Sequence, residues 1–183
     1  MSNACLLLAE GFEEIEAITV LDVLRRANID IAAVGVDSES VLGAHGIKVQ
    51  TDLTMPQAVD RNWDVVILPG GLPGAQKLTQ SKEVQKLIKK QHQQSKNIAA
   101  ICAAPMALAK AGVLTGKQAT CYPGFESYLK EGNATFHKQD VVVDGTITTS
   151  RGPGTALAFA LELVAQLKGK NIADELAKAT LST

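Results

Sequence analysis

Asn97-Ile98-Ala99-Ala100-Ile101-Cys102-Ala103-Ala104-Pro105 runs an apolar stretch into a cysteine, a pair of alanines and a proline. The stretch does not alternate polar with apolar residues, as expected of a strand buried on both faces. Helical residues resume at once over Ala103–Ala111, and proline suits the first turn of a helix. A buried strand that turns sharply at a cysteine and re-enters a helix is the unit from which parallel α/β sheets are built.

The rest of the chain repeats that unit. Ala4–Ala9, Ile29–Val36 and Trp63–Leu68 are further unalternated apolar runs. A helix opens at Glu13-Glu14, where acids suit the positive helix end, and runs to about Ala27, with Asn28 as its stop. Ser81–Gln94 forms an amphipathic helix: Val84, Leu87, Ile88 and Gln91 share one side, and its lysines form a solvated face. Val41–Leu53, around Gly43 and Gly46, is a hairpin excursion. Thr120–Tyr122, Thr135–Phe136, Val141–Val143 and Thr146–Thr149 are short strands, the last pair joined by the hairpin signal Asp144-Gly145. Thr155–Leu167 and Ile172–Thr180 close the chain as helices. The expectation is one domain over residues 1–183, a flavodoxin-like three-layer α/β/α sandwich with a mainly parallel sheet. Sites in such folds gather at the carboxyl ends of the strands, which here are Glu10–Glu16, Pro69–Gly74 and Cys102–Pro105.

Composition narrows the function. The chain has 183 residues, 46% hydrophobic, 20% charged and 4% aromatic, with a formal net charge of −1. That balance argues against disorder and against a dedicated nucleic-acid binder, which usually carries a basic excess and stacking aromatics. Three cysteines, an odd number, do not suggest a disulfide framework. The N-terminal apolar run stops at Glu10, too short for a secretory signal or a membrane span. A cytoplasmic protein with reduced thiols is expected.

Cys102 carries the chemistry, if any residue does. At an elbow next to a helix start its thiol pKa would fall from ~8.5 to roughly 3.5–7.5; the alternative is a small buried hydrophobe. The amides of Pro69-Gly70-Gly71, with that of Ala103, would make an oxyanion hole, or the glycines a plain tight turn. The helix-dipole role suffices for Glu13 and Glu14. It does not suffice for Glu16, which precedes Val20 and Val23 on an apolar stripe, where a carboxyl holds its proton and donates a hydrogen bond. Arg151-Gly152-Pro153-Gly154-Thr155 is a rigid loop whose arginine either meets an anion or lies free on the surface. His45, His92 and His137 are not spaced with the cysteines as a metal site, and no Gly-rich nucleotide motif occurs. No metal and no cofactor are expected.

Ala9-Glu10-Gly11-Phe12-Glu13-Glu14-Ile15-Glu16, Val66-Ile67-Leu68-Pro69-Gly70-Gly71, Ala99–Pro105 and Ser150–Thr155 together resemble the ThiJ/PfpI superfamily, most of all its DJ-1 branch with the bacterial YajL-type members. The resemblance implies a homodimer with an oxidation-prone cysteine at Cys102. Glu16 matches the protonated glutamate that hydrogen-bonds this cysteine and its sulfinate, and Gly71 and Ala103 match the residues whose amides face the sulfur. Glu13 matches a second pocket acid, with Gly70 and Tyr122 also lining the pocket. Arg151, Gly152 and Pro153 match a loop near the dimer interface and the partner's site. The activities implied are cofactor-independent glyoxalase and deglycase chemistry on methylglyoxal, a 2-oxoaldehyde, or its glycated adducts. The alternative is oxidative-stress sensing and chaperoning with little turnover. The chain departs from the branch at Tyr122, where a histidine often precedes the proline, and at His45, where an arginine is frequent. Ala103 stands where PfpI-type proteases have a histidine, so a Cys-His peptidase is disfavoured.

Overall fold

The computed structural model describes residues 2–182. In chain order the elements are β1 (Asn3–Leu8), α1 (Glu14–Arg26), β2 (Asp30–Gly35), β3 (Ser40–Leu42), β4 (Lys48–Gln50), β5 (Leu53–Thr54), α2 (Met55–Ala58) and β6 (Val65–Leu68). They continue as α3 (Gly74–Gln80), α4 (Lys82–Gln93), β7 (Asn97–Ile101), α5 (Pro105–Ala111), β8 (Gln118–Ala119), α6 (Glu126–Glu131) and β9 (Thr135–Phe136). The last are β10 (Val141–Asp144), β11 (Ile147–Ser150), α7 (Ala156–Lys168) and α8 (Lys170–Ala179).

The main sheet has seven strands in the order β10-β11-β7-β6-β1-β2-β5. Its pairings are parallel except β10 with β11. The inner strands are the runs without alternation: Ala4–Leu8 and Val65–Leu68 are fully enclosed because helices cover both faces. Helices α1, α7 and α8 pack together as one layer, and α3, α4 and α5 as the other. This is the expected flavodoxin-like sandwich. The chain leaves β1 toward β2 on one side and later returns to β6 on the other, which opens a crevice at their carboxyl ends.

Three local readings need correction. The strand expected at Thr120–Tyr122 lies at Gln118–Ala119, where β8 pairs in parallel with β9 in a separate small sheet. Thr120 instead gives its N–H to the Thr149 hydroxyl, and Tyr122 gives its own to the Cys102 carbonyl. The β10–β11 turn is one residue later than expected, since Asp144 pairs with Ile147 and leaves Gly145-Thr146 as the loop. Short helices α2, α3 and α6 fill stretches with no strong periodicity. The β3–β4 hairpin forms as expected, and α4 starts at its Ser81 cap, whose hydroxyl accepts the Val84 N–H at 3.3 Å.

Candidate functional site

Strand β7 delivers Cys102 to the crevice, and the backbone there turns through a left-handed φ of 65°. Such a conformation costs a non-glycine residue about 1 kcal/mol or more. Bonds on both sides hold it: the Cys102 N–H donates to the Ser150 carbonyl, and its own carbonyl accepts from Tyr122, each at 2.9 Å. The expected elbow is therefore present, and only 8% of Cys102 is exposed. The N–H groups of Gly71 and Ala103 point at the sulfur. Helix α5 begins later, at Pro105, so these amides rather than the helix axis face the thiol.

Glu16 comes from α1. Its side of the helix also carries Ala17, Val20 and Val23, all buried, and the carboxyl is wholly enclosed. Oε2 accepts the Gly70 N–H at 2.7 Å, whereas buried Oε1 receives no N–H or O–H. Burial, with the charge of Glu13 adding to it, pushes Glu16 up to about 7 against the pull of the Gly70 amide and the thiol. An enclosed oxygen with no donor suits a carboxylic acid with a proton to give. Gly70 is the hinge of this arrangement. A Cβ there would lie 2.5 Å from Cys102 Cβ, 2.9 Å from its Sγ and 2.8 Å from Glu16 Oε2. Only hydrogen leaves thiol and carboxyl room to face each other.

The thiol does not behave as its place near a helix start suggested. Burial first, then the Glu16 carboxylate, push Cys102 up to about 12, against the Gly71 and Ala103 amides. The repulsion exists only while Glu16 is ionised. Once Glu16 holds the proton, its O–H is free to face a thiolate, and the pair shares a single negative charge. Cys5 is raised by burial alone, and Cys121 is pushed up to about 12 by burial and by Glu126.

The remaining expected residues fall into two groups. Glu13 sits beside the pair: its N–H donates to Gly70 O at 2.9 Å, and its charge reaches Glu16. Tyr122, Arg151 and Pro153 form a neighbouring wall. The Tyr122 ring lies over Gly152, where a Cβ would come within 3.0 Å of it. The Arg151 N–H bonds the Asp140 carbonyl at 3.3 Å, its Nε is buried without a partner, and its charge acts on Cys121 rather than Cys102. Pro153 opens a single 3-10 turn, Pro153–Thr155.

Glu14 was undervalued. Its carboxylate is buried and closes the hairpin: Oε1 accepts the N–H of His45 at 2.7 Å and of Ile47 at 3.3 Å, and Oε2 meets the His45 ring at 2.8 Å. Its partners lie 31 and 33 residues away, so no local signal marks it. The same contacts bring Glu13, Glu14 and His45 within ligating distance of one another, although their spacing in sequence is not that of a metal motif. A surface cavity of about 810 Å³ lies elsewhere, along the lysine-lined face of α4 and Lys110.

Residues 2–166 match the sequence pattern of the DJ-1/PfpI family. The crystal structure of Drosophila melanogaster DJ-1beta superposes with a TM-score of 0.95 at 42% identity, covering 99% of this chain and 98% of that one. The glutathione-independent glyoxalase DJR-1.2 of Caenorhabditis elegans is 34% identical over 177 residues, 97% of this chain and 94% of its own length. DJ-1 homolog A of Arabidopsis thaliana is 41% identical over 176 residues, and the match spans 95% of this chain but only 45% of that protein.

Proposed function

The chain belongs to the DJ-1/PfpI family, and on that premise we propose that it is a cofactor-independent glyoxalase acting on small 2-oxoaldehydes such as methylglyoxal, with their glycated adducts as a related substrate class. The observation that carries this is the closed constellation of Cys102, Glu16 and the Gly71 and Ala103 amides, which holds a nucleophile, a proton carrier and an oxyanion hole. The similarity to a relative named as a glutathione-independent glyoxalase supports the same reading.

The chemistry follows from that set. The Cys102 sulfur forms a bond to the aldehyde carbon, and the resulting oxyanion is met by the Gly71 and Ala103 amides and takes the Glu16 proton. The Glu16 carboxylate then removes the proton on that carbon and returns it to the neighbouring carbon, while the proton on the hemithioacetal oxygen passes to the ketone oxygen, leaving a thioester carbonyl beside a new hydroxyl. One carbon is oxidised and the other reduced, so no external redox partner is needed. Water hydrolyses the thioester on Cys102 and releases a 2-hydroxy acid. Purified protein supplied with methylglyoxal and no glutathione should yield lactate, and Cys102→Ser should yield none. Equal lactate from both would sink this function.

A second reading rests on the same amides. Those N–H groups would donate to the oxygens of a Cys102 sulfinate, as would a protonated Glu16, which supports a redox sensor of oxidative stress with associated chaperoning. Mild peroxide should then add two oxygens at Cys102 before Cys5 or Cys121; prior oxidation of Cys121 would exclude it. A homodimer belongs to this proposal, supported by exposed Ile15, Ile18 and Ile47 along α1 and the hairpin. A monomer by sedimentation equilibrium would remove it. A cytoplasmic site fits the three free thiols, and secretion of the protein would contradict it.

A further inference from the structure

The fold sets two carboxylates of α1 against an imidazole at the tip of the β3–β4 hairpin. The His45 Nδ1 lies 2.8 Å from Glu14 Oε2 and 3.6 Å from Glu13 Oε2. One donor atom from each of the three residues lies within 4.8 Å of the others. Ligands at zinc-type bond lengths of 2.0–2.1 Å around a tetrahedral ion are separated by about 3.3 Å, close to both measured spacings.

Two further features point to a cation. Glu14 Oε1 is fixed by the His45 and Ile47 amides, which aim Oε2 at the imidazole, the orienting support that metal ligands commonly receive. The Glu13 side chain is only 12% exposed, and among the described residues its carboxylate has no hydrogen bond and only the His45 ring, at 3.6 Å, as ion-pair partner. A mostly covered carboxylate held at that distance alone gains from a cation bound between it and the ring. In the single chain the His45 side chain is 69% exposed, which leaves an ion a path from solvent.

We infer that Glu13, Glu14 and His45 form a binding site for a divalent transition ion of the zinc class, tying the hairpin to the start of α1. One imidazole with two carboxylates favours such an ion over the oxygen-seeking magnesium and calcium. Cys102 is not a ligand, so ion binding is read separately from turnover, although the site shares Glu13 with the pocket. Glu13, one of the ligands, also donates its backbone N–H to the Gly70 carbonyl, so the ion would sit against the rim of the thiol pocket.

Cobalt(II) is the probe, added to untagged, chelator-stripped full-length protein. One ion per chain should bind, with visible d–d bands and no sulfur-to-cobalt charge-transfer band, and Zn²⁺ should displace it one for one. Cys102→Ser should keep the bands. His45→Ala, at an exposed position that leaves the core intact, should weaken binding by at least about tenfold, and Glu13→Gln should do the same, with unchanged circular dichroism. Absence of binding, bands that survive His45→Ala, or bands lost in Cys102→Ser would each overturn the assignment.

Discussion

Glu14 and Glu16 occupy the same first turn of α1, and both are almost free of solvent. Their ionisation nevertheless runs in opposite directions. Burial alone would raise Glu14, but the His45 ring, its own backbone and the His45 and Ile47 amides outweigh burial and hold it below the ordinary carboxylate range. Glu16 has one amide donor and a thiol, burial prevails, and the group rises to about 7. Low solvent exposure at both positions thus coexists with a fixed anion beside the exposed His45 ring and an exchangeable proton deeper in the fold two residues later. Depth and the number of donors aimed at each carboxyl together decide which.

Removing the exchangeable proton should have the largest effect. Glu16→Gln keeps shape and hydrogen bonding but cannot shuttle a proton, so lactate formation from methylglyoxal should fall by about 10²–10⁴-fold. A smaller loss would mean that Glu16 is no better a proton carrier than Glu14. Next is the pH dependence of stability in chelator-treated protein. The native state holds the Glu16 proton more tightly than the unfolded chain does. Its contribution is therefore complete below about pH 4.5 and lost as pH rises toward about 7, up to about 3 kcal/mol. Glu14 acts in the opposite sense, stabilising above its unfolded value and losing that contribution as pH falls through its lowered folded value. Urea midpoints measured across this range should fall toward neutral pH in the parent and flatten in Glu16→Gln.

Gly70→Ala forces a methyl between the thiol and the carboxyl. It should destabilise by about 1–3 kcal/mol and slow turnover, as read by thermal unfolding and lactate assay. The smallest effect is expected for Glu14→Gln, which keeps an acceptor for the hairpin amides but loses the charge. About 1 kcal/mol of stability should go, with faster amide exchange confined to the β3–β4 hairpin. Global loosening there would mean that Glu14 supports more than the hairpin.

The sheet could be read from the sequence because strands enclosed on both faces are mostly apolar, and Ala4–Leu8, Val65–Leu68 and Ile98–Ile101 carry no polar residue, whereas enclosed β11 keeps Thr148, Thr149 and Ser150. Glu16 and Cys102 were visible for the complementary reason: a carboxyl on an apolar stripe and a cysteine between strand and small residues break the local pattern. Glu14 broke no pattern, because an acid in a first helical turn is ordinary and its partners arrive from a distant hairpin. The direction of the Cys102 shift was hidden likewise, since a helix start is local whereas enclosure and the facing Glu16 are tertiary. The β8 strand was displaced because a two-residue pairing carries almost no periodicity.

The sheet order has a consequence for synthesis. Strand β1 leaves the ribosome before both of its neighbours yet ends inside the sheet, flanked by β2 and by β6. Its second neighbour begins at Val65, so at 5–20 residues per second the Ala4–Leu6 edge waits roughly 3–12 s for its partner. Throughout that interval a wholly apolar strand edge is open to other nascent chains. A codon-level slowing between Thr54 and Val65 would lengthen the exposure and lower soluble yield, while leaving the finished molecule unchanged.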